Sequence, residues 1–227
     1  MRMKAIRCSE PNPTMQYAII KNDESRSFPE GEAFLTGAVD AAKAEVLVYL
    51  GGSPIANDPA RKLILVELGV ESLGRHTGEA SGEEGSNVVG FARYRNGEDA
   101  PSALVELVKQ PKTAPAALDA AKALFEAAGL SVVVCTDQPG RIIDRLVRPK
   151  YNAALRLLDE GLATQKDIDL TCRLGLGYAD GPIERTVRGG LAQHYDVTKA
   201  LFDIFGTAAY APARRAVVAA QRRESGE

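Results

Sequence analysis

The sequence has no tryptophan, only two histidines and three cysteines, and aromatic residues make up 6% of its 227 positions. Cys8, Cys135 and Cys172 are odd in number and share no short spacing. Neither a disulfide framework nor a zinc motif follows, and they read as reduced thiols of a cytoplasmic protein. His76 and His194 lie far apart in the chain, which argues against a histidine-based metal cluster. Long basic runs are missing too: 28 Lys and Arg stand against 30 Asp and Glu, a net charge of -2. Electrostatics therefore give no support to a nucleic-acid or membrane-surface partner. The apolar runs Val46–Leu50 and Ser131–Cys135 are far too short to span a bilayer, and MRMKAIRCSEP lacks the apolar stretch of a signal peptide.

What is present is ample apolar material, 45% of the chain, enough for one large core or two modest ones. Up to about Thr136, short runs rich in Val, Ile and Leu alternate with polar or glycine-rich breaks. YAII, EVLVYLG, KLILVEL, NVVGFARY, ALVELV and LSVVVC carry the marks of buried strands. Between them, GEAFLTGAVDAAKA and TAPAALDAAKALFEAAG are alanine-rich with apolar residues three to four apart, the pattern of helices. In the second, Leu118, Ala121, Leu124 and Phe125 share a face, Thr113 is placed to cap the start and Gly129 to end it. Repeated helix and buried strand predict an α/β layer with a largely parallel sheet. HTGEASGEEGS has no apolar anchor and reads as an exposed loop.

From Pro139 the strand signal stops. GRIIDRLVRPKYNAALRLLDEG suggests one helix with Ile142, Leu146, Tyr151, Leu155 and Leu158 on a stripe, and Pro149 kinking it from inside. TQKDIDLTCRLG opens on a Thr164 cap with Asp167 three residues on and closes at Gly175. GGLAQHYDVTKALFDIFG and AYAPARRAVVAAQRR read as further helices, giving an all-helical unit of four or five. Between two of them, RLGLGYADGPIE holds three glycines and a proline. Gly175 and Gly177 close one helix in positive φ, and Pro182 enters the first turn of the next, where its missing N–H costs nothing.

Residues 139–206 resemble the C-terminal domain of the 3-hydroxyacyl-CoA dehydrogenase family. Pro139, Gly140, Ile142, Arg145 and Leu146 match its P-G-F-I-x-N-R-L block. Leu157, Leu158, Glu160, Gly161, Ala163, Asp167, Ile168 and Asp169 match L-L-x-E-G-x-A-x-x-x-D-I-D. Leu174, Gly175, Gly177, Gly181 and Pro182 match the glycine block, with Gly190 and Leu191 beyond. The resemblance implies a homodimer through this half and one wall of an acyl-CoA cleft. Leu157, Leu158, Ile183, Val187 and Leu191 supply the apolar surplus for such an interface. AVDAAKAEVLVYLGG, LILVELGVESLG and VVGFARYRNGEDAPSALVELV are similar to later parts of the family's dinucleotide-binding domain. The expected fold is a truncated Rossmann-like parallel sheet domain over residues 1–138, followed by a helical dimerisation domain over 139–227.

The departures from the family pattern bear on chemistry. No G-x-G-x-x-G occurs, although pyrophosphate needs glycine to reach backbone N–H groups at a helix start. IRCSEPNPTMQYAII, where the loop is expected, has two prolines and no glycine. The family's general-base histidine aligns with Ala92, or with Arg93 allowing one residue of slip. Glu106 matches the glutamate that orients that histidine; read from the residues alone it is a strand carboxylate facing solvent. Asp144 replaces the family asparagine, an acceptor in place of an amide donor. Ser72 matches a serine that contacts substrate. His194, Tyr195 and Asp196 are adjacent on a helix and form no triad. Cys135 reads as a core thiol. Arg214, Arg215, Arg222 and Arg223 form a solvated face that CoA phosphates would also suit.

Three functions stay open at this point. One is an active NAD-dependent oxidoreductase with relocated groups, the one case that requires NAD. The favoured one is a dimeric acyl-CoA-binding or partner subunit of fatty or aromatic acyl-CoA metabolism, without cofactor. The last is a purely structural interaction module.

Overall fold

The structure, a computed structural model, describes residues 15–78 and 86–226. Six strands form one sheet: β1 (Tyr17–Lys21), β2 (Val46–Leu50), β3 (Leu63–Glu67), β4 (Val88–Arg93), β5 (Leu104–Lys109) and β6 (Ser131–Thr136). They lie side by side in chain order. β1 to β4 run parallel, β5 is antiparallel to β4, and β6 is parallel to β5. All six follow the apolar runs of the sequence. The alternation of side chains sorts them onto two faces. Val46, Val48, Leu50, Leu63, Leu65 and Phe91 pack on one, and Leu47, Tyr49, Ile64, Val66 and Val88 on the other. β2 and β4 are buried along their whole length, as strands covered on both faces must be.

The first face is closed by α3 (Pro115–Ala127), through Ala121, Leu124 and Phe125, and by a cluster of phenylalanines. Phe28 stacks on Phe34 at 4.3 Å, and Phe125 lies 5.2 Å from Phe91 between ring centroids. Thr113 does not cap α3. Ala114 holds the cap position, and the Thr113 hydroxyl instead accepts the Gln110 N–H at 2.9 Å.

Between β1 and β2 the expected helix shrinks to α1 (Ala33–Thr36), a single turn. Two competing hydrogen bonds account for this. The Val39 N–H turns to the open edge of β1 and donates to the Tyr17 carbonyl at 2.8 Å. Asp40 accepts the Ala42 N–H with its side chain at 2.8 Å, an Asx turn that displaces the helical bond. The loop expected at 76–86 begins inside another single turn, α2 (Gly74–Thr77), and most of it lies outside the described residues. Cys8 and most of IRCSEPNPTMQYAII lie outside them as well.

Beyond the sheet come α4 (Arg141–Asp159), α5 (Gln165–Leu176), α6 (Pro182–Arg188), α7 (Leu191–Phe205) and α8 (Arg214–Ser225). The stripe expected along α4 is two stripes. Tyr151 and Leu155 are buried, whereas Ile142 is 42% and Leu146 70% exposed. The step from Leu146 to Tyr151 is five residues; at about 100° per residue it carries the two groups to opposite sides of the helix. Pro149 stands inside the helix between them.

Thr164 caps α5 by accepting the Asp167 N–H at 3.2 Å. The helix runs through Gly175 and ends at Gly177, which has φ +70°. The expectation of positive φ at both glycines holds at Gly177 alone. The corner that follows is fixed by Asp169 of α5. Its buried carboxylate accepts the Ile183 N–H at 2.8 Å and the Glu184 N–H at 3.1 Å, which caps α6. A Cβ on Gly181 would strike that carboxyl at 2.3 Å, so the position tolerates no side chain. Ile183 is 1% exposed and belongs to the helical core with Leu155 and Ile168, which removes it from the expected dimer surface.

Among the described residues no helix is long and apolar enough to cross a membrane. No group of three or more His, Cys, Asp or Glu is placed there to hold a metal ion.

Candidate active site

A cavity of about 450 Å³ opens at the C-terminal ends of β2, β3 and β4, against the start of α4 and one side of α7. In open α/β sheets, ligands bind at such a crevice. Glu67, Ala92, Arg93, Glu106, Arg141 and Asp144 all line it. Two of the three residues singled out from the sequence, Glu106 and Asp144, therefore meet in one cavity. Ser72 does not form part of its wall; its backbone carbonyl accepts the Arg75 N–H at 3.2 Å in the turn of α2.

Glu106 is 4% exposed, so it does not face solvent as the sequence suggested. It sits opposite Ala92 in the antiparallel register of β4 and β5. Side chains opposed in this way share one face of the sheet at close range. An imidazole partner for Glu106 would therefore have to stand at position 92 rather than 93. Position 92 offers only a methyl group. Glu106 is engaged elsewhere, since its Oε1 accepts the N–H groups of Ile142 at 2.9 Å and Ile143 at 3.1 Å, which caps α4. Burial pushes its carboxyl above the ordinary value, opposed by those two backbone bonds.

Asp144 holds Arg148 one turn along α4, with Oδ1 2.8 Å from Nε. Arg148 then reaches His194 of α7, at 3.3 Å from Nδ1. The rest of this chain fixes the tautomer. Asn152 donates from Nδ2 to the Thr198 hydroxyl at 2.7 Å and to the Ala209 carbonyl at 3.0 Å. Its Oδ1 therefore faces His194 Nε2 at 2.9 Å and must accept from it. His194 is neutral, protonated on Nε2, with Nδ1 accepting from Arg148. Burial first, and then the Arg148 charge, push its pKa down to about 3. The histidine ties α4 to α7. It is absent from the cavity wall.

Arg141 is the only non-glycine described residue with positive φ, at 44°. It occupies the phenylalanine position of the family's P-G-F-I block. Its buried guanidinium donates to the backbone carbonyls of Leu68, Gly69 and Glu71 beyond β3. Tyr94, just past β4, lies between the guanidinium groups of Arg148 and Arg185, about 6.0 and 5.9 Å from its ring centre. Asn96 donates to the Arg185 carbonyl at 3.1 Å, and a Cβ on Gly97 would meet Gly189 at 2.8 Å. The strand half and the helical half thus touch backbone to backbone. Arg141 was open to detection as a departure from the family block. Arg93 was flagged only as a slipped histidine position, and Glu67 and Arg148 carried no comparable signal, since strand ends and helix arginines are common.

A mainly parallel sheet whose crevice faces a helical C-terminal unit is a Rossmann-like layout. The model of the 3-hydroxyacyl-CoA dehydrogenase C-terminal domain matches residues 140–227. Mitochondrial hydroxyacyl-coenzyme A dehydrogenase of Sus scrofa is 39% identical over 100 residues, which is 44% of this chain and 31% of that protein. The 3-hydroxyadipyl-CoA dehydrogenase of Escherichia coli is 35% identical over 102 residues, 45% of this chain and 22% of that protein. Among solved structures, M. tuberculosis FadB2 superposes with a TM-score of 0.66 at 20% identity, over 81% of this chain and 67% of that one. The helical half is thus similar to the C-terminal domain of 3-hydroxyacyl-CoA dehydrogenases. The matched segment spans about a third or less of the curated relatives' length.

Proposed function

We propose that the chain is a 3-hydroxyacyl-CoA dehydrogenase-like subunit of fatty or aromatic acyl-CoA metabolism that binds acyl-CoA, or serves a partner acyl-CoA enzyme, without transferring hydride. The observation that carries this reading is Ala92 opposite Glu106: the proton acceptor of hydroxyl oxidation is replaced by methyl, and its orienting carboxylate caps a helix. The loop after β1, Asn22–Ser27, contains no glycine and two acidic residues, which suits a pyrophosphate poorly. Leu170, Leu174, Leu176 and Val187 are 41–80% exposed on α5 and α6, and this face supports a homodimer through the helical half.

Calorimetry with NADH and with acetoacetyl-CoA, run beside a turnover assay, tests the reading. The expected result is acyl-CoA binding, no NADH binding below millimolar concentration, and no oxidation of a 3-hydroxyacyl-CoA at neutral pH. Ala92→His restores no turnover, because the hydride acceptor still has no site. A micromolar dissociation constant for NADH would sink the proposal and direct mutagenesis to Glu106, Ser72 and Asp144.

A further inference from the structure

Glu67 closes β3, and its carboxylate is ringed by donors from the loops after β1 and β2. Oε1 accepts the Ser27 N–H at 2.7 Å and the Ser25 hydroxyl at 2.9 Å, both from the loop after β1. Oε2 accepts the Gly51 N–H, just after β2, at 2.9 Å. Both carboxylate oxygens are engaged, and Ser25 and Ser27 are buried. The Ser25 hydroxyl also accepts the Phe28 N–H at 2.9 Å, so the turn is closed on itself.

Two further contacts hold that loop down. Arg93 of β4 donates from its guanidinium to the Ser27 carbonyl at 2.9 Å, and its N–H reaches the Ser27 hydroxyl at 3.2 Å. Gly51, at φ +59°, has the Asp23 backbone so close that a Cβ would lie 2.1 Å from the Asp23 carbonyl oxygen. The loop after β1 therefore rests directly on the loop after β2. In a dinucleotide-binding sheet the turn after the first strand is where backbone N–H groups stand open to receive phosphate.

We infer that Glu67 is a built-in anion: its carboxylate occupies the donors of the loops after β1 and β2 that a cofactor phosphate would otherwise meet. This rests on the reading of the chain as a subunit without cofactor, and it names the group responsible. It also gives the acid a reason to be where it is. Three donors converge on one point, and without an anion there the Ser27 and Gly51 N–H groups would lose their acceptor.

The test uses NMR of the full chain, following the Ser27 and Gly51 amide resonances. In the native protein, ADP at about 10 mM, weaker than any useful cofactor affinity, leaves both in place. In Glu67→Ala the same two amides move on titration with inorganic phosphate, and phosphate raises Tm by about 2–4 °C in the variant but not in the native chain. Movement of these amides by ADP in the native protein overturns the inference, and so does a folded Glu67→Ala that ignores phosphate. If Glu67→Ala fails to fold, the native titration decides alone. NADH binding with both amides unmoved refutes the proposed function yet upholds the built-in anion, so the two failures are distinguishable.

Discussion

In the strand half every residue of β2 and β4 is buried, and each face of the sheet closes on its own helix or loop. In the helical half a core of Ala154, Leu155, Ile168, Ile183 and Ala213 holds the helices, while Leu162, Leu174 and Leu176 are each more than 60% exposed. The difference follows from geometry. A strand buried on two sides uses all its apolar residues at once, whereas a short helix packs one stripe and leaves the rest to whatever covers it. The strand half buries β2 and β4 along their whole length, and the helical half presents apolar surface.

The largest effect that would break this contrast lies in the sheet core. Phe125→Ala removes a ring packed on Phe28, Phe34 and Phe91 and should cost about 3–5 kcal/mol in urea denaturation. A cost near that of a surface change would mean the phenylalanine cluster does not close the sheet.

Glu106, which joins the halves, comes next. Glu106→Ala strips the acceptor from two α4 N–H groups and should cost about 2 kcal/mol. Glu106→Gln keeps an acceptor and drops the charge. Burial raises the Glu106 carboxyl above its ordinary 4.5, so the folded chain holds that proton more tightly than the unfolded chain. The linked stability is fully present below pH 4.5 and is lost as pH rises through the folded value. The stability of Glu106→Gln relative to the native chain must therefore increase with pH above that point. A flat difference in melting temperature across pH 4–8 would put the carboxylate in water.

The glycine corner sharpens the comparison within the helical half. Gly177→Ala forces a side chain into positive φ and should cost about 1 kcal/mol. Gly175 lies inside α5 with only Thr171 within 4.0 Å of a new Cβ, so Gly175→Ala should stabilise by up to about 1 kcal/mol. Equal shifts of the same sign would show that the helix ends elsewhere. The smallest change in stability accompanies the largest change in assembly. Leu174→Asp, at an 80% exposed position, should move Tm of the isolated fold little yet convert the proposed homodimer to a monomer in light scattering. Retention of a dimer would move the interface off α5.

The strands and the long helices were legible because period and punctuation suffice for them: LILVE and the Thr164–Asp167 cap need no tertiary context. The α1 region misled, because alanine content favours a helix while a β1 carbonyl 22 residues away competes for the Val39 N–H. The α4 stripe misled through counting, since a five-residue step breaks the phase. At the site, Glu106 and Asp144 were found by their place in motifs, but their partners were not. That Glu106 would cap a helix 36 residues on, or that Arg148 would meet His194 46 residues on, is a property of the packed chain and leaves no local trace.

The bond from Glu106 to the start of α4 also sets an order of assembly. The carboxylate belongs to β5, an inner strand with neighbours on both sides, and it stands at its working place only once β4 and β6 flank it. Until then the first turn of α4 lacks an acceptor for two of its leading N–H groups and frays. Chain synthesis delivers β4, β5 and β6 before residue 141, so the sheet is in hand when the helix emerges. A circular permutant that presents α4 first should therefore fold more slowly than the native chain in stopped-flow refolding, through a helix with a loose beginning.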